Sequence, residues 1–217
     1  MIVTVVLGVR FIALDSNFYI ERYEKYEFAK ELNVDKESLN ESIVALLDYI
    51  KGDRDTIQVK IIKNGKEQDA FYEREILHMV DVRELYRNAI KVAIGAAIIG
   101  ISIVFYFLLY DRKKTLSYLT YGFLLACGTV AVMLVFFGIW VATDFTSFWT
   151  WFHTIFFDND LWLLDPRISF MINMLPEIIF NQLVLAVTFY FILVFVPLIA
   201  FSLWYQFKKA PIGFDQC

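Results

Sequence analysis

Long uncharged stretches alternate with polar ones along this chain of 217 residues. Residues 92–110 form a run of 19 without a charge, 115–143 a run of 29, and 178–207 a run of 30 interrupted by Pro197. A helix needs roughly 20 apolar residues to cross the hydrocarbon core of a bilayer, so each run can span it. Backbone groups in lipid must hydrogen-bond within their own segment, so these runs are predicted helices. A shorter run, residues 1–14, is interrupted by Arg10. No basic residue precedes it and no small-residue cleavage site follows it, which fits a signal peptide poorly. It reads as a first transmembrane helix, extended toward Phe18 and Tyr19 or shortened by the choice of start codon.

The polar stretch 15–91 predicts a small α+β unit. Residues 18–32 have helical composition. Ser38-Leu39-Asn40-Glu41 fits a capping box. Leu39, Ile43, Leu46, Leu47 and Ile50 then recur at helical spacing, and Gly52 stands where a carboxy-terminal cap belongs. Residues 57–63 are rich in β-branched side chains, and Asn64-Gly65 separates them from 66–72, the pattern of a tight hairpin. A lone hairpin is marginal in water, so this one should pack on the cap helices or the membrane surface. From Glu73 the pattern is helical again and runs into the second span. Further on, Asp165-Pro166 marks the start of a short helix, with Asp165 as its cap.

The predicted fold is a mainly α membrane protein, a four-transmembrane-helix bundle with a small extracellular α+β cap. Its segments are a short first helix (1–20), a cap (21–88) with a hairpin near 57–72, and second and third spans (89–110 and 115–142). An extracellular aromatic loop with short surface helices (143–177), a fourth span (178–207) and a cytoplasmic tail (208–217) follow.

Composition agrees. Hydrophobic residues make up 59% and charged residues 20%, and mean hydropathy is +0.54. Disordered chains and disulfide scaffolds are excluded. Net charge is −4, so no basic surface awaits nucleic acid. Of the 44 charged side chains, 30 fall between Asp15 and Lys91. Positive charge near the spans sets orientation. Arg112, Lys113 and Lys114 in one short loop, and Lys208-Lys209 after the last span, should be cytoplasmic. The cap and the loop 143–177 should then face outward. Cys127 lies within a span and Cys217 ends the chain, so a disulfide between them is implausible and both should be inert. Cys217 is no prenylation signal either, since that needs three residues after the cysteine.

Eight aromatic residues lie within 145–162. An interfacial belt accounts for such a cluster at a span end. A plain belt needs neither His153 nor Asp158-Asn159-Asp160, which lie inside this one. The chain has two histidines, His78 and His153, and the predicted topology puts both outside, near span ends. Asp81 lies three residues after His78, on the same helical face, where a carboxylate can set the tautomer of an imidazole. Two such histidines can act as general base and general acid. No nucleophile motif, phosphate loop or zinc spacing is present. A metal site from His78, His153, Asp158 and Asp160 stays open, although the spacing does not favour it.

His78-Met79-Val80-Asp81-Val82 resembles a string found in the bacterial lipoprotein intramolecular transacylases, small integral membrane proteins of Gram-positive bacteria. So does the combination Phe152-His153, Phe156-Phe157, Asn159-Asp160-x-Trp162 and Leu164-Asp165-Pro166. The likeness covers nearly the whole chain; the short amino-terminal run departs from the family's full first span. The resemblance implies an acyltransferase of the cell membrane, multi-pass, acting at the outer leaflet on a diacylated lipoprotein within membrane lipid. The sn-2 acyl chain of a diacylglyceryl-cysteine moves to the cysteine α-amino group, giving a lyso-form lipoprotein. No cofactor and no metal is implied, since ester to amide is downhill. The catalytic pair carried over is His78 and His153, with base and acid roles open.

The chemistry matches these residues. Both reacting groups belong to one substrate, so no enzyme nucleophile is required, and the attack closes a ring of about eight members, which proximity must favour. Asp81, Asn159, Asp160, Trp162 and Asp165 are candidate supporting residues, with Asn159, Trp162 or a backbone N–H steadying the oxyanion. Trp149, Phe152, Phe156 and Phe157 are candidate walls of the substrate pocket. Two other readings use the same residues, a metal-dependent membrane hydrolase and a non-enzymatic membrane scaffold. Sensitivity to a chelator marks the first, and near-silent loss of the histidines marks the second.

Overall fold

The computed structural model describes residues 1–209. Cys217 and nearly all of the expected tail lie outside the described residues. The chain divides into two compact units, Met1–Ala93 with His153–Thr188, and Ile94–Phe152 with Phe189–Cys217.

The first unit holds the polar sequence. Helix α1 (Ile2–Gly8) runs into a π-helical turn (Val9–Ala13), and the chain breaks at Leu14. Asp15 then caps α2 (Ser16–Lys25), its carboxylate accepting the Asn17 N–H at 3.0 Å. Ile2–Ala13 and Ser16–Lys25 are bent by 45° at the break and pass as a membrane span only when counted together. The helix expected over 18–32 is interrupted. Glu27 adopts φ 55°, and α3 is the short Phe28–Glu31. The hydroxyls on either side are anchored elsewhere, Tyr23 to the Met174 carbonyl at 2.8 Å and Tyr26 to Gln182 at 2.5 Å.

Helix α4 (Lys36–Lys51) carries the apolar face expected of it. Leu39 and Ile43 are fully buried, and Gly52 ends the helix at φ 90°, a left-handed conformation that glycine adopts without a Cβ clash. Its start corrects the capping box read from the sequence. The cap is Asp35, whose carboxylate accepts the Ser38 N–H at 2.9 Å. Ser38 is already inside the helix, where its hydroxyl donates to Asp35 and accepts the Ile62 N–H at 3.0 Å. The earlier acidic residue therefore claims the cap, and the serine ties the helix to the hairpin. Asp35→Ala is expected to cost about 0.5–2 kcal/mol of stability, read as a lowered thermal midpoint.

The hairpin forms as expected, with Asn64 at φ 52° and Gly65 at φ 72° in its two-residue turn. Strands β1 (Lys60–Lys63) and β2 (Lys66–Asp69) pair Lys63 with Lys66 and Lys60 with Asp69. They are shorter than the extended segments read from sequence, because Ile57, Val59, Ala70 and Phe71 turn into the core. The Gln58 amide bonds both backbone groups of Phe71, at 3.0 and 3.2 Å. The Asp35 N–H donates to Ile62 on the other edge of β1 and the Asn33 carbonyl accepts from Asn64 in the turn, so the hairpin packs on α4 rather than standing alone.

Helix α5 (Glu73–Tyr110) is 38 residues long, about 57 Å at 1.5 Å per residue. That is nearly twice the roughly 30 Å hydrocarbon core. All its charges lie within residues 73–91, so the apolar half is the part suited to crossing.

The second unit contains the apolar part of α5, α6 (Thr115–Thr143), most of α7 (Phe145–Phe156) and the later part of α9 (Glu177–Lys209). Among the described residues, three helices, α5, α6 and α9, are long and apolar enough to cross a membrane, and the bent amino-terminal pair makes up to four. Aromatic contacts fasten α7 to the end of α6, with Trp140 and Trp151 at 5.1 Å and Trp140 and Phe148 at 5.8 Å. Gln206 donates to the Ser117 carbonyl and the Thr120 hydroxyl at 2.8 and 2.7 Å, closing the far end of α9 on α6.

Candidate active site

His78 sits in the second turn of α5 and His153 in the last turn of α7. The imidazoles are 75 residues apart in sequence and 6.2 Å apart between ring centroids, tilted by 35°. Both are buried. Phe157, one turn beyond His153, lies edge-on to His78 at 5.4 Å and against His153 at 5.6 Å. Trp162 stacks on His153 at 4.7 Å. Two aromatic rings thus hold two imidazoles together.

His78 records that setting. Its Nδ1 is buried and without a hydrogen-bond partner. Its pKa is pushed down from 6.5 to about 4, first by burial and then by the His153 imidazole, with the Asp81 carboxylate opposing. The ring is neutral at physiological pH.

Asp81 does not bond the Nδ1 of His78; it accepts the Asn159 side-chain amide at 2.9 Å. Both oxygens of Asn159 serve the turn. Its side-chain oxygen accepts the Leu161 N–H at 3.0 Å, and its carbonyl accepts the Trp162 indole N–H at 2.9 Å. Trp162 has therefore spent its single donor, and Asn159 is engaged at each of its oxygens. Asp160 receives Arg74 at its backbone carbonyl and, at 3.1 Å, at its carboxylate. Two polar links thus strap residues 159–160 across the first turns of α5, and the strap carries the ring that covers His153.

Asp165 sits in a turn of its own. Asp165 does not cap a helix at Pro166. It closes a turn, accepting the Arg167 N–H at 2.9 Å and pairing with the Arg167 guanidinium, which holds its carboxyl below the usual range. The helix there is α8 (Phe170–Met174), capped by Ser169. Proline at 166 fits a turn as well as a first helical turn, so sequence alone does not separate the two. Phe156 is exposed. Trp149 and Phe152 belong to the second unit, where Trp149 stacks with Phe145 at 5.6 Å and with Phe152 at 6.1 Å. Among the described residues, no three His, Cys, Asp or Glu side chains gather as a ligand set.

The sequence reading passed over Arg74, Glu75 and Ser169. Glu75 had a signal: it is the third residue of α5, where a glutamate reaches back to the helix start. Without a serine or threonine at position 72, the pattern was incomplete.

These features define a polytopic membrane protein with a folded polar unit that carries a buried imidazole pair. Three matching solved structures have the same fold. They are the membrane integral lipoprotein intramolecular transacylase Lit from Bacillus cereus and two histidine variants of it, one to arginine and one to alanine. The first is 19% identical with a TM-score of 0.62, and covers 96% of this chain and 88% of its own. The arginine and alanine variants are each 18% identical with a TM-score of 0.69, and cover 96% of this chain and 87% and 89% of their own. Residues 1–180 match the family described as lipoprotein intramolecular transacylase Lit, and the chain belongs to that family of acyltransferases. No curated protein matches the sequence.

Proposed function

We propose that this chain moves the sn-2 acyl chain of a diacylglyceryl-cysteine lipoprotein onto the cysteine α-amino group, at the outer leaflet, using His78 and His153 for the proton transfers. The observation that carries this reading is the imidazole pair itself, with a buried nitrogen of His78 left unpartnered. A histidine kept only for packing would satisfy that nitrogen, because buried polar groups nearly always find partners.

The neutral amine attacks the ester carbonyl. As the C–N bond forms, the nitrogen becomes acidic and His78 accepts its proton. The C–O bond to glycerol then breaks, and His153 donates a proton to the departing oxygen. One amide N–C bond replaces one ester C–O bond, and one proton passes from nitrogen to oxygen. Passage of the proton from His78 to His153 restores the starting state. Burial keeps His78 unprotonated, which leaves it able to accept the amine proton. The topology that fits has the polar unit and residues 143–177 outside, with positive residues 112–114 and 208–209 inside.

The test is mass spectrometry of a lipoprotein amino-terminal peptide made with and without this protein. The expected result is one acyl chain moved from glycerol to nitrogen at unchanged total mass. Loss of an acyl chain would point instead to a hydrolase, and a gain to transfer between molecules.

A further inference from the structure

Glu75 is fully buried, with 1% of its surface exposed, and no ion pair reaches it among the described residues. Its carboxylate is met only by donors. One oxygen accepts the Tyr72 N–H at 2.7 Å. The other accepts the Ser169 hydroxyl at 2.5 Å and the Met171 N–H at 2.9 Å. Tyr72 precedes the first residue of α5, and Ser169 caps α8. A single carboxylate therefore joins the starts of two helices, each of which presents unpaired N–H groups to it. Glu75 and His78 are three residues apart, on one buried face of α5.

We infer that Glu75 is a positioning residue, a latch between residues 169–171 and the first turn of α5 that sets the rotation of that turn and so the aim of His78 at the reacting amine. This rests on the transacylase reading above. A rotation of α5 about its axis swings the imidazole along an arc, and the strap at Asn159 and Asp160 lies on the same turns. Burying a carboxylate for packing alone is unfavourable, since an apolar side chain would fill the same space without losing hydration. Three converging donors make sense where a defined helix rotation is required.

The chemistry of the donors makes the test sharp. In Glu75→Gln the shape is kept, but one acceptor becomes an NH2 group. Whichever way the amide turns, that group faces an N–H or O–H donor. With a diacylglyceryl-cysteinyl lipopeptide in nanodiscs, Glu75→Gln is expected to lower kcat roughly ten- to hundredfold at unchanged KM, the scale of ångström misplacement of a catalytic group. The His78 imidazole resonance should move with it, and with only two histidines in the chain it is readily assigned. Ser169→Ala should act in the same direction by a smaller factor, and the double variant should be no worse than Glu75→Gln. Asp35→Ala is the control for destabilisation alone, and should leave both kcat and the His78 resonance unchanged.

Wild-type kcat and an unmoved His78 resonance in Glu75→Gln would overturn the inference, as would an equal loss of kcat in Asp35→Ala. If Glu75→Gln fails to fold, Ser169→Ala decides by the same two readouts. Full activity of His78→Ala would instead defeat the transacylase mechanism, while the resonance still reports on the latch.

Discussion

His78→Ala is expected to lower kcat for acyl transfer by about 10²–10⁴-fold, the range for loss of a general base. The protein should stay folded in the membrane and still bind lipopeptide, because His78 is given no part in holding the acyl chains. His153→Ala should fall in the same range. The two effects should not add, since the rings handle one proton between them. The geometry supports this expectation: the ring centroids are 6.2 Å apart, and Phe157 touches both rings. Both single variants retaining full activity in the mass-spectrometric assay would remove the mechanism.

The second large effect is on pH dependence. The native pKa of His78, pushed down to about 4, lies below the 6.5 of a free histidine. The native ring therefore stays neutral as pH falls through 6.5, and His78 sets no break in the rate there. The substrate amine, with a pKa near 7.7–8.0, must be neutral to attack. The amine must lose its proton and His153 must hold the one it donates, so kcat/KM is expected to rise with pH on the amine limb and fall again on the acid limb, a bell rather than a plateau. A break near pH 6.5 that disappears in the residual rate of His78→Ala would contradict it. Stability follows the opposite partner in the equilibrium. Between pH 6.5 and about 4 the unfolded chain binds a proton at His78 that the native state refuses. The contribution of this group is thus complete above pH 6.5 and is lost as pH falls toward 4. A urea unfolding series across that window, compared with His78→Ala, isolates it.

The helices that cross were plain from residues 92–110, 115–143 and 178–207, because span length and the absence of charge are properties of a continuous segment. The Asn64-Gly65 turn and the Gly52 cap were equally local, since each depends on the backbone freedom of one or two residues. The two histidines could be singled out by number and placement, and the family likeness joined them. The rest needed coordinates. Nothing near Ser38 in sequence distinguishes a cap from a first-turn serine whose hydroxyl holds β1; the choice went to Asp35 because Ile62 was there to use Ser38. Asp81 could serve His78 or another group, and Asn159, 78 positions later, decided it. Glu75 read as one more charge at a helix start until Ser169 and Met171 arrived from 94 and 96 positions away. Apolar length and turn chemistry are settled by neighbours along the chain. The partner of a polar group is settled by whichever donors or acceptors folding brings within 3 Å, and only the tertiary structure determines those.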